Sequence, residues 1–357
     1  MSKRAPRMMS SQQDYDFTNF NNSLEKFLSK HPSFQPLMDN TLKIVYVTGC
    51  LGFIGAYFTQ KALQLGWKVY GVDKKTYAAD PKLLETFKTY SNFTFAEEDI
   101  KDLTHLYDCD YVVNFAAESH VDNSIERSDE FINSNVLGVK NLLDLVRSKN
   151  TNAGDRPIFF QISTDEVYGD IEKGAHTEAD ILKPSNPYSA SKAAADMLVL
   201  AWARTYNLNY IILRPTNNYG CGQYPEKLIP LSVKNLMRGR KIRLHDDGIP
   251  KRNWLHVDDT AQAVVDLIEA DAKNEIFNVA GGFEQSNLDT VIKVVSCFHG
   301  EGKSLRDYVD FSYKREGQDV RYALNDMKLR NLGWSPSKVF DEEISEVVDY
   351  YKDNFVW

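Results

Sequence analysis

The sequence predicts an α/β protein, a doubly wound parallel sheet with a smaller mixed α/β lobe. Three observations carry this. From residue 43 onward, short β-rich apolar runs alternate with stretches of helical spacing. Glycines at 49, 52 and 55 mark the first passage from strand to helix. Later apolar runs stop abruptly at polar residues, above all at Ser163-Thr164-Asp165-Glu166-Val167-Tyr168 after Ile158–Ile162, and open α/β sheets bind ligands at such carboxyl ends.

Composition narrows the function classes. Against 50 acidic residues there are 42 basic ones, net -8, so no nucleic-acid face is expected and an anionic ligand needs local Arg and Lys. Cys50, Cys109, Cys221 and Cys297 form no CxxC pair and no Cys/His spacing, which reads as reduced thiols without a metal site. The apolar runs are too short to span a bilayer and the first residues show no signal-peptide pattern. A soluble, cytoplasmic protein with no membrane partner is expected.

Taken in order, residues 1–40 are rich in Ser, Gln, Asn and Asp and read as a flexible extension. Lys43–Thr48 then reads as a buried strand entering Gly49-Cys50-Leu51-Gly52-Phe53-Ile54-Gly55, with helical spacing from Ala56 to Leu65. The glycines let the chain turn tightly and let backbone N–H groups around Phe53 and Ile54 approach a pyrophosphate. Alone, the pattern is also that of an ordinary turn. Here a second strand, Lys68–Val72, ends in Asp73 at about the twenty-residue offset of an acid that binds an adenosine ribose. That predicts a Rossmann domain holding NAD rather than NADP, because a carboxylate repels a 2′-phosphate. Phe93–Phe95 leads to Asp99-Ile100, placed either at an adenine edge or as a plain loop acid. Tyr111–Phe115 leads to Ala116-Ala117, small enough for the backbone to lie close to a flat ligand. The helix expected over Asp129–Arg147 has apolar residues at 132, 136, 139, 142, 143 and 146, a face for the core or for a partner.

The chemistry-bearing groups come next. Asp165 and Glu166 repel each other, and in a closed site one of them can be held protonated, giving an acid and a base from one dipeptide. On the hexapeptide alone they are equally solvated acids at a strand end. Tyr188 and Lys192 lie four apart at the start of a helix, on one face. An ammonium and a cationic nicotinamide nearby would make the phenol a usable base, although such pairs are also common on helix surfaces. Their position after a glycine-rich loop and an acid-bearing strand end favours hydride transfer.

The later chain supplies the second lobe. Helices are expected at Leu228–Met237, Val257–Ala270, Leu288–Phe298 and Asp341–Tyr351, and a strand at Glu275–Val279. Arg240–Asn253 reads as a basic, loop-rich cover for a nucleotide. This divides the chain into the extension, a cofactor domain over 41–216 with a return segment at about 253–280, and a substrate lobe over 217–252 and 281–357.

With these residues assembled, the chain from about Lys43 onward resembles the nucleotide-sugar 4,6-dehydratases (dTDP-glucose and UDP-glucose 4,6-dehydratases) of the extended short-chain dehydrogenase/reductase superfamily. The matching pieces are Thr48–Gly55, Asp73 with Thr76-Tyr77-Ala78, Ala116-Ala117-Glu118-Ser119-His120-Val121-Asp122, Ser163–Gly169, Tyr188–Lys192, Asn217–Gly220 and Pro225–Pro230. The Thr164-Asp165-Glu166 triplet is the specific item, since sugar epimerases and decarboxylases of the superfamily keep YxxxK without the acid pair.

The resemblance implies a lyase with NAD and a nucleotide-sugar substrate. Its catalytic residues would be Thr164, Asp165, Glu166, Tyr188 and Lys192. Gly49, Gly52, Phe53, Ile54, Gly55, Asp73, Asp99, Ile100, Ala116 and Ala117 would bind the cofactor together with Tyr188 and Lys192. Ser119, Asn217, Lys227, Leu228, His245, Arg252, Asn278, Arg315 and Gln318 would lie in the sugar-nucleotide site, the arginines as diphosphate clamps. Because His245 and Gln318 stand where bacterial thymidine-sugar enzymes typically have Tyr and His, UDP-glucose is expected to be accepted at least comparably to dTDP-glucose. The product would be a 4-keto-6-deoxy sugar nucleotide on the way to deoxysugars such as rhamnose. Helices 129–147 and 189–206 suit a homodimer paired as a four-helix bundle. The alternatives are a 4-epimerase or decarboxylase, or a non-catalytic NAD-binding protein.

Overall fold

The computed structural model describes residues 42–149, 157–313 and 319–354. The expected amino-terminal extension, Arg315 and Gln318 lie outside those residues. Seven strands form one parallel sheet: β1 (Ile44–Thr48), β2 (Lys68–Asp73), β3 (Phe93–Glu97), β4 (Tyr111–Asn114), β5 (Ile158–Ile162), β6 (Tyr210–Pro215) and β10 (Glu275–Val279). Their order is β10-β6-β5-β4-β1-β2-β3, so the chain runs outward from β1 to β3 and then returns to β4 on the other side. The reversal opens a crevice above β1 and β4, the usual ligand position in such sheets.

Both faces of the sheet are covered, which is why its strands read as nearly continuous apolar runs. On one face α1 (Phe53–Gln64) packs into a core with Val45, Val47, Phe160 and the later helix Val257–Glu269. On the other, α2 (Val139–Ser148) and α3 (Pro187–Tyr206) bury Leu142, Leu143, Val146, Ala195 and Val199 against Tyr46, Val112 and Phe159. The single helix expected over 129–147 is interrupted. Ser128–Phe131 is α-helical, Ile132–Gly138 is a π-helical turn, and α2 follows. Gly138 sits against Ile100, where a Cβ would come within 2.6 Å of the isoleucine Cδ1. The wide turn brings buried Asn135 onto the Ala117–Ser119 loop, its Oδ1 accepting from the Glu118 N–H at 2.9 Å and its amide donating to the Glu118 carbonyl at 3.0 Å. Such π turns recur near functional sites.

The second lobe contains β7 (Asn217–Tyr219), α4 (Leu228–Met237), β8 (Ile242–His245), β9 (Lys251–His256), β11 (Phe283–Ser286), α6 (Asn287–His299), β12 (Val309–Tyr313) and α7 (Phe340–Asp353). Between them, α5 (Val257–Glu269) and β10 return to the large sheet. β11, β9 and β7 form one small sheet, and β12 pairs with β8 in another. The segment 240–253 is therefore not a loop-rich cover. Ile242 and Leu244 point inward while Arg243 points out, the period of a half-buried strand, and the basic residues obscured that alternation in the sequence.

Candidate active site

The cleft is built at strand ends. β1 delivers Gly49, whose φ of +68° and whose approach to Ala116 (a Cβ would lie 2.6 Å from that backbone nitrogen) admit only glycine. Gly55 packs so closely that a Cβ would lie 2.1 Å from the Gly49 carbonyl oxygen. Gly52 caps α1 with no side-chain hydrogen bond, so the first amides of the helix, at Phe53, Ile54 and Gly55, are left for a ligand along the cleft wall. At the end of β2 the buried Asp73 carboxylate accepts from the N–H of Leu51 at 3.1 Å and of Lys75 at 2.8 Å, fixed toward the same cleft. An uncapped helix start, glycines that a Cβ would block and an anchored acid fit a dinucleotide. Asp99, Ile100, Ala116, Ala117 and Ser119 line the cleft as well.

Opposite, β5 ends in Ser163 and Thr164, and Asp165–Tyr168 forms a single 3₁₀ turn. Thr164 caps that turn, its hydroxyl accepting from the Glu166 N–H at 3.3 Å and donating to Asp165 Oδ1 at 3.1 Å. Asp165 is buried, and its Oδ2 has no hydrogen-bond partner. Burial first, and the neighbouring Glu166 charge second, push the Asp165 carboxyl up to about 7. Burial also raises Glu166, with the Arg252 and Lys227 charges and the Asn186 amide working against it. The two acids thus differ in environment as an acid and base must.

Helix α3 brings the third component. Asn186 caps it reciprocally with Ser189, and Tyr188 is pinned where its N–H donates to Ser124 Oγ at 3.2 Å and its ring meets Phe131 edge-on. One turn on, buried Lys192 donates to the Ile162 carbonyl at 2.6 Å. Burial pushes the lysine down to about 8, and burial with the Glu166 charge holds the Tyr188 phenol far above its ordinary range. Thr164, Asp165, Glu166, Tyr188 and Lys192 all line the one cleft.

A family model described as GDP-mannose 4,6 dehydratase matches residues 46–347. The chain belongs to that family. It is 38% identical over 325 residues to a dTDP-glucose 4,6-dehydratase of Streptomyces niveus, covering 88% of this chain and 94% of that protein. It is 39% identical over 312 residues to the low-salt glycan biosynthesis protein Agl12 of Haloferax volcanii, with 86% and 98% covered. Among solved structures, DesIV, a dTDP-glucose 4,6-dehydratase from Streptomyces venezuelae crystallised with NAD, superposes with a TM-score of 0.81 at 35% identity, covering 87% of this chain and 97% of that one. A UDP-glucuronic acid 4-epimerase from Bacillus cereus shares the fold, with a TM-score of 0.80 at 24% identity and with 88% and 100% covered. The protein is an NAD-dependent hydro-lyase of the 4,6-dehydratase class.

Not every expected residue of the dehydratase reaches the cleft. Asn217 and Lys227 line it, Asn217 with a buried Oδ1 that lacks a partner and Lys227 donating to the Ser119 carbonyl at 2.6 Å. Leu228 is instead the first residue of α4 and packs on the second lobe's core. His245 lies in β8, edge-on to Tyr313 and outside the lining. Arg252 is nine-tenths buried, over the Tyr322 ring and donating to the Lys251 and Asp319 carbonyls. It reaches Asp165 and Glu166 through its charge rather than by lining the cleft. Asn278 is fully buried in β10 and corrects the expectation outright, since its amide is consumed by Tyr168 and by the His176 and Asn325 carbonyls. An asparagine in an apolar strand carries no mark that tells such an anchor from a ligand. Conversely, Lys74 was missed. It lines the cleft, donating to Ser134 at 2.9 Å and lying 3.4 Å from Glu118 and 3.6 Å from Asp99, and its place directly after Asp73 was the available signal.

Among the described residues there is no metal-binding cluster of His, Cys, Asp or Glu and no helix long and apolar enough to cross a membrane.

Proposed function

We propose that this dehydratase converts a nucleoside-diphosphate glucose to the 4-keto-6-deoxy sugar nucleotide, and that UDP-glucose is accepted at least comparably to dTDP-glucose. The observation that carries the reaction is the pair of buried Asp165 and half-buried Glu166 lining one cleft with Tyr188 and Lys192. Removing water from C5 and C6 is hard because the C5 proton is not acidic and hydroxide leaves poorly. A ketone at C4 overcomes the first difficulty. When bound, NAD supplies the hydride acceptor for C4, the hydride donor for C6 and a positive charge near the phenol. Tyr188 takes the O4 proton, Lys192 stabilises the phenolate, and Thr164 holds O4 by a hydrogen bond. Glu166 then removes the C5 proton, and Asp165, kept protonated by its surroundings, gives its proton to the departing C6 hydroxyl; as hydride returns to C6, Glu166 gives the proton back to C5. Water is the only net loss.

The nucleotide reading rests on the polar side of the cleft. Among the described residues its lining by Thr216, Asn217, Asn218, Gln223, Glu226 and Lys227 offers hydrogen bonds, with Pro215 and Tyr224 beside them as the apolar surface a thymine methyl could meet. Such a contact is worth only about 1 to 3 kcal/mol, whereas a buried ribose hydroxyl needs a polar partner such as the unpaired Asn217 Oδ1. His245 no longer supports this reading, since it lies outside the lining. Incubation with UDP-glucose and dTDP-glucose, separately and in competition, tests both parts. Loss of one water from the sugar nucleotide is expected. Mass-neutral turnover would make the protein an epimerase, and a preference for dTDP-glucose of about a hundredfold or more in kcat/KM would sink the nucleotide reading.

We further propose that two copies pair through the π turn 132–138 and α3, whose exposed Ile132, Leu137 and Met197 form an apolar face. The product is a suitable precursor for deoxysugars of the rhamnose kind.

A further inference from the structure

The catalytic lysine has a buried neighbour that none of these steps uses. Asp196 lies one turn beyond Lys192 on the same face of α3 and is completely buried. Its Oδ2 accepts from Arg214 Nε on β6 at 2.9 Å, and the Ser163 hydroxyl at the end of β5 is a further donor to the carboxylate. Arg214, also buried, donates to the Tyr168 hydroxyl at 2.7 Å and stands 4.8 Å from the centre of that ring. Tyr168 donates in turn to Asn278 Oδ1 at 2.9 Å, and Asn278 is fixed by backbone carbonyls. A chain of locked polar groups therefore runs from β10 to Asp196, one helical turn from Lys192. A buried ion pair is seldom needed for stability alone, because an apolar pair of similar volume usually does as well.

We propose that Asp196 is a positioning residue for the oxidation step: held by Arg214 and Tyr168, its carboxylate keeps Lys192 an ammonium beside Tyr188. This rests on the reading of Tyr188 and Lys192 as the proton-handling pair. Tyr188, Asp165 and Glu166 line the cleft together with Lys192, while Asp196 lies one turn beyond it on the same helix with Ser163 and Arg214 turned onto its carboxylate. Of these, Asp196 is the one whose charge acts on the lysine, opposing the burial that pushes it down to about 8. Without that carboxylate the ammonium gives up its proton at lower pH, and the phenolate loses its counter-charge.

The test uses the NAD-loaded enzyme in an Asp165→Asn background, so that the C4-oxidised sugar accumulates and its formation reports oxidation alone. Adding Asp196→Asn is expected to move the alkaline limb of that rate down by about one pH unit and to slow it roughly tenfold at pH about 8, with NAD affinity held within about twofold. Asp196→Glu is expected to restore the limb in part. An unchanged limb in a variant that still binds NAD overturns the proposal. Should Asp196→Asn fail to fold because Arg214 is stranded, the Asp196→Asn/Arg214→Met pair removes both charges and carries the same expectation and the same overturning result. Lys192→Met separates the two readings. If it oxidises substrate normally, the role given to Lys192 is wrong; if it is inactive while the Asp196→Asn limb is unmoved, only the role of Asp196 falls.

Discussion

Asp165 is made costly by the place that makes it useful. Its carboxyl, raised from 3.8 to about 7, is protonated in the fold over a range where an unfolded chain has already lost the proton. The protonated form therefore lends its stability below the ordinary value, and that stability is lost as pH climbs through 7. Asp165→Asn is expected to raise the melting temperature at pH about 8 and leave it unchanged at pH about 4, by a stability difference on the order of 2 kcal/mol. The same substitution should slow water elimination by roughly a hundredfold while leaving the C4-oxidised sugar to accumulate. Tyr188→Phe should form neither ketone nor product. Quenched single-turnover mixtures, separated by mass, check both; an Asp165→Asn enzyme that yields no ketone would refute the division of labour between the phenol and the acids. At this scale a polar residue is legible in the sequence where it follows a strand end and not where it lies inside one. Asp73, Asp165 and Glu166 announce themselves as polar stops to apolar runs, whereas Asn278 and Arg214 sit within β10 and β6 and reveal their bonds only once the strands are paired.

Among the elements, the turn from β1 to α1 has little tolerance for added bulk. Gly55→Ala places a methyl group 2.1 Å from the Gly49 carbonyl, and the turn has to move. NAD affinity is expected to fall by about a hundredfold or more, since the amides of the helix start lose their aim. Gly66→Ala is the matched contrast: its φ is +80° and nothing lies within 4 Å of the added carbon. It should cost about 1 kcal/mol in thermal or urea unfolding through backbone strain alone and leave NAD binding intact. Calorimetric titration of both variants decides between them, and equal losses of NAD affinity would mean that crowding at Gly55 is not what matters. The helix–strand alternation was legible because a sheet covered on both faces writes itself as apolar runs of strand length. The short strands β8 and β9 were not, because their outward positions carry Lys and Arg, and the π turn at 132–138 was hidden because its apolar spacing matches that of an ordinary helix.

For the whole molecule, the π turn and α3 leave Ile132 at 46%, Leu137 at 48% and Met197 at 48% exposure, more apolar surface than a solvent-facing pair of elements needs. Leu137→Glu combined with Met197→Glu is expected to convert a dimer to a monomer in sedimentation, with folding unchanged. A wild-type monomer at micromolar concentration would dismiss the pairing.

The wall behind the glycine turn is made late. Helix α1 is backed by α5, with Lys61 3.2 Å from Gln262 and 2.9 Å from Asp258, about two hundred residues further along. During synthesis the glycine turn is thus made long before its outer support. A chain stopped short of α5 lacks that brace behind the glycine turn, whatever motif it already contains. Free energy from NAD binding can then reinforce the turn only in a chain that has reached α5, so the nucleotide favours molecules that carry this brace and leaves shorter ones open to proteolysis.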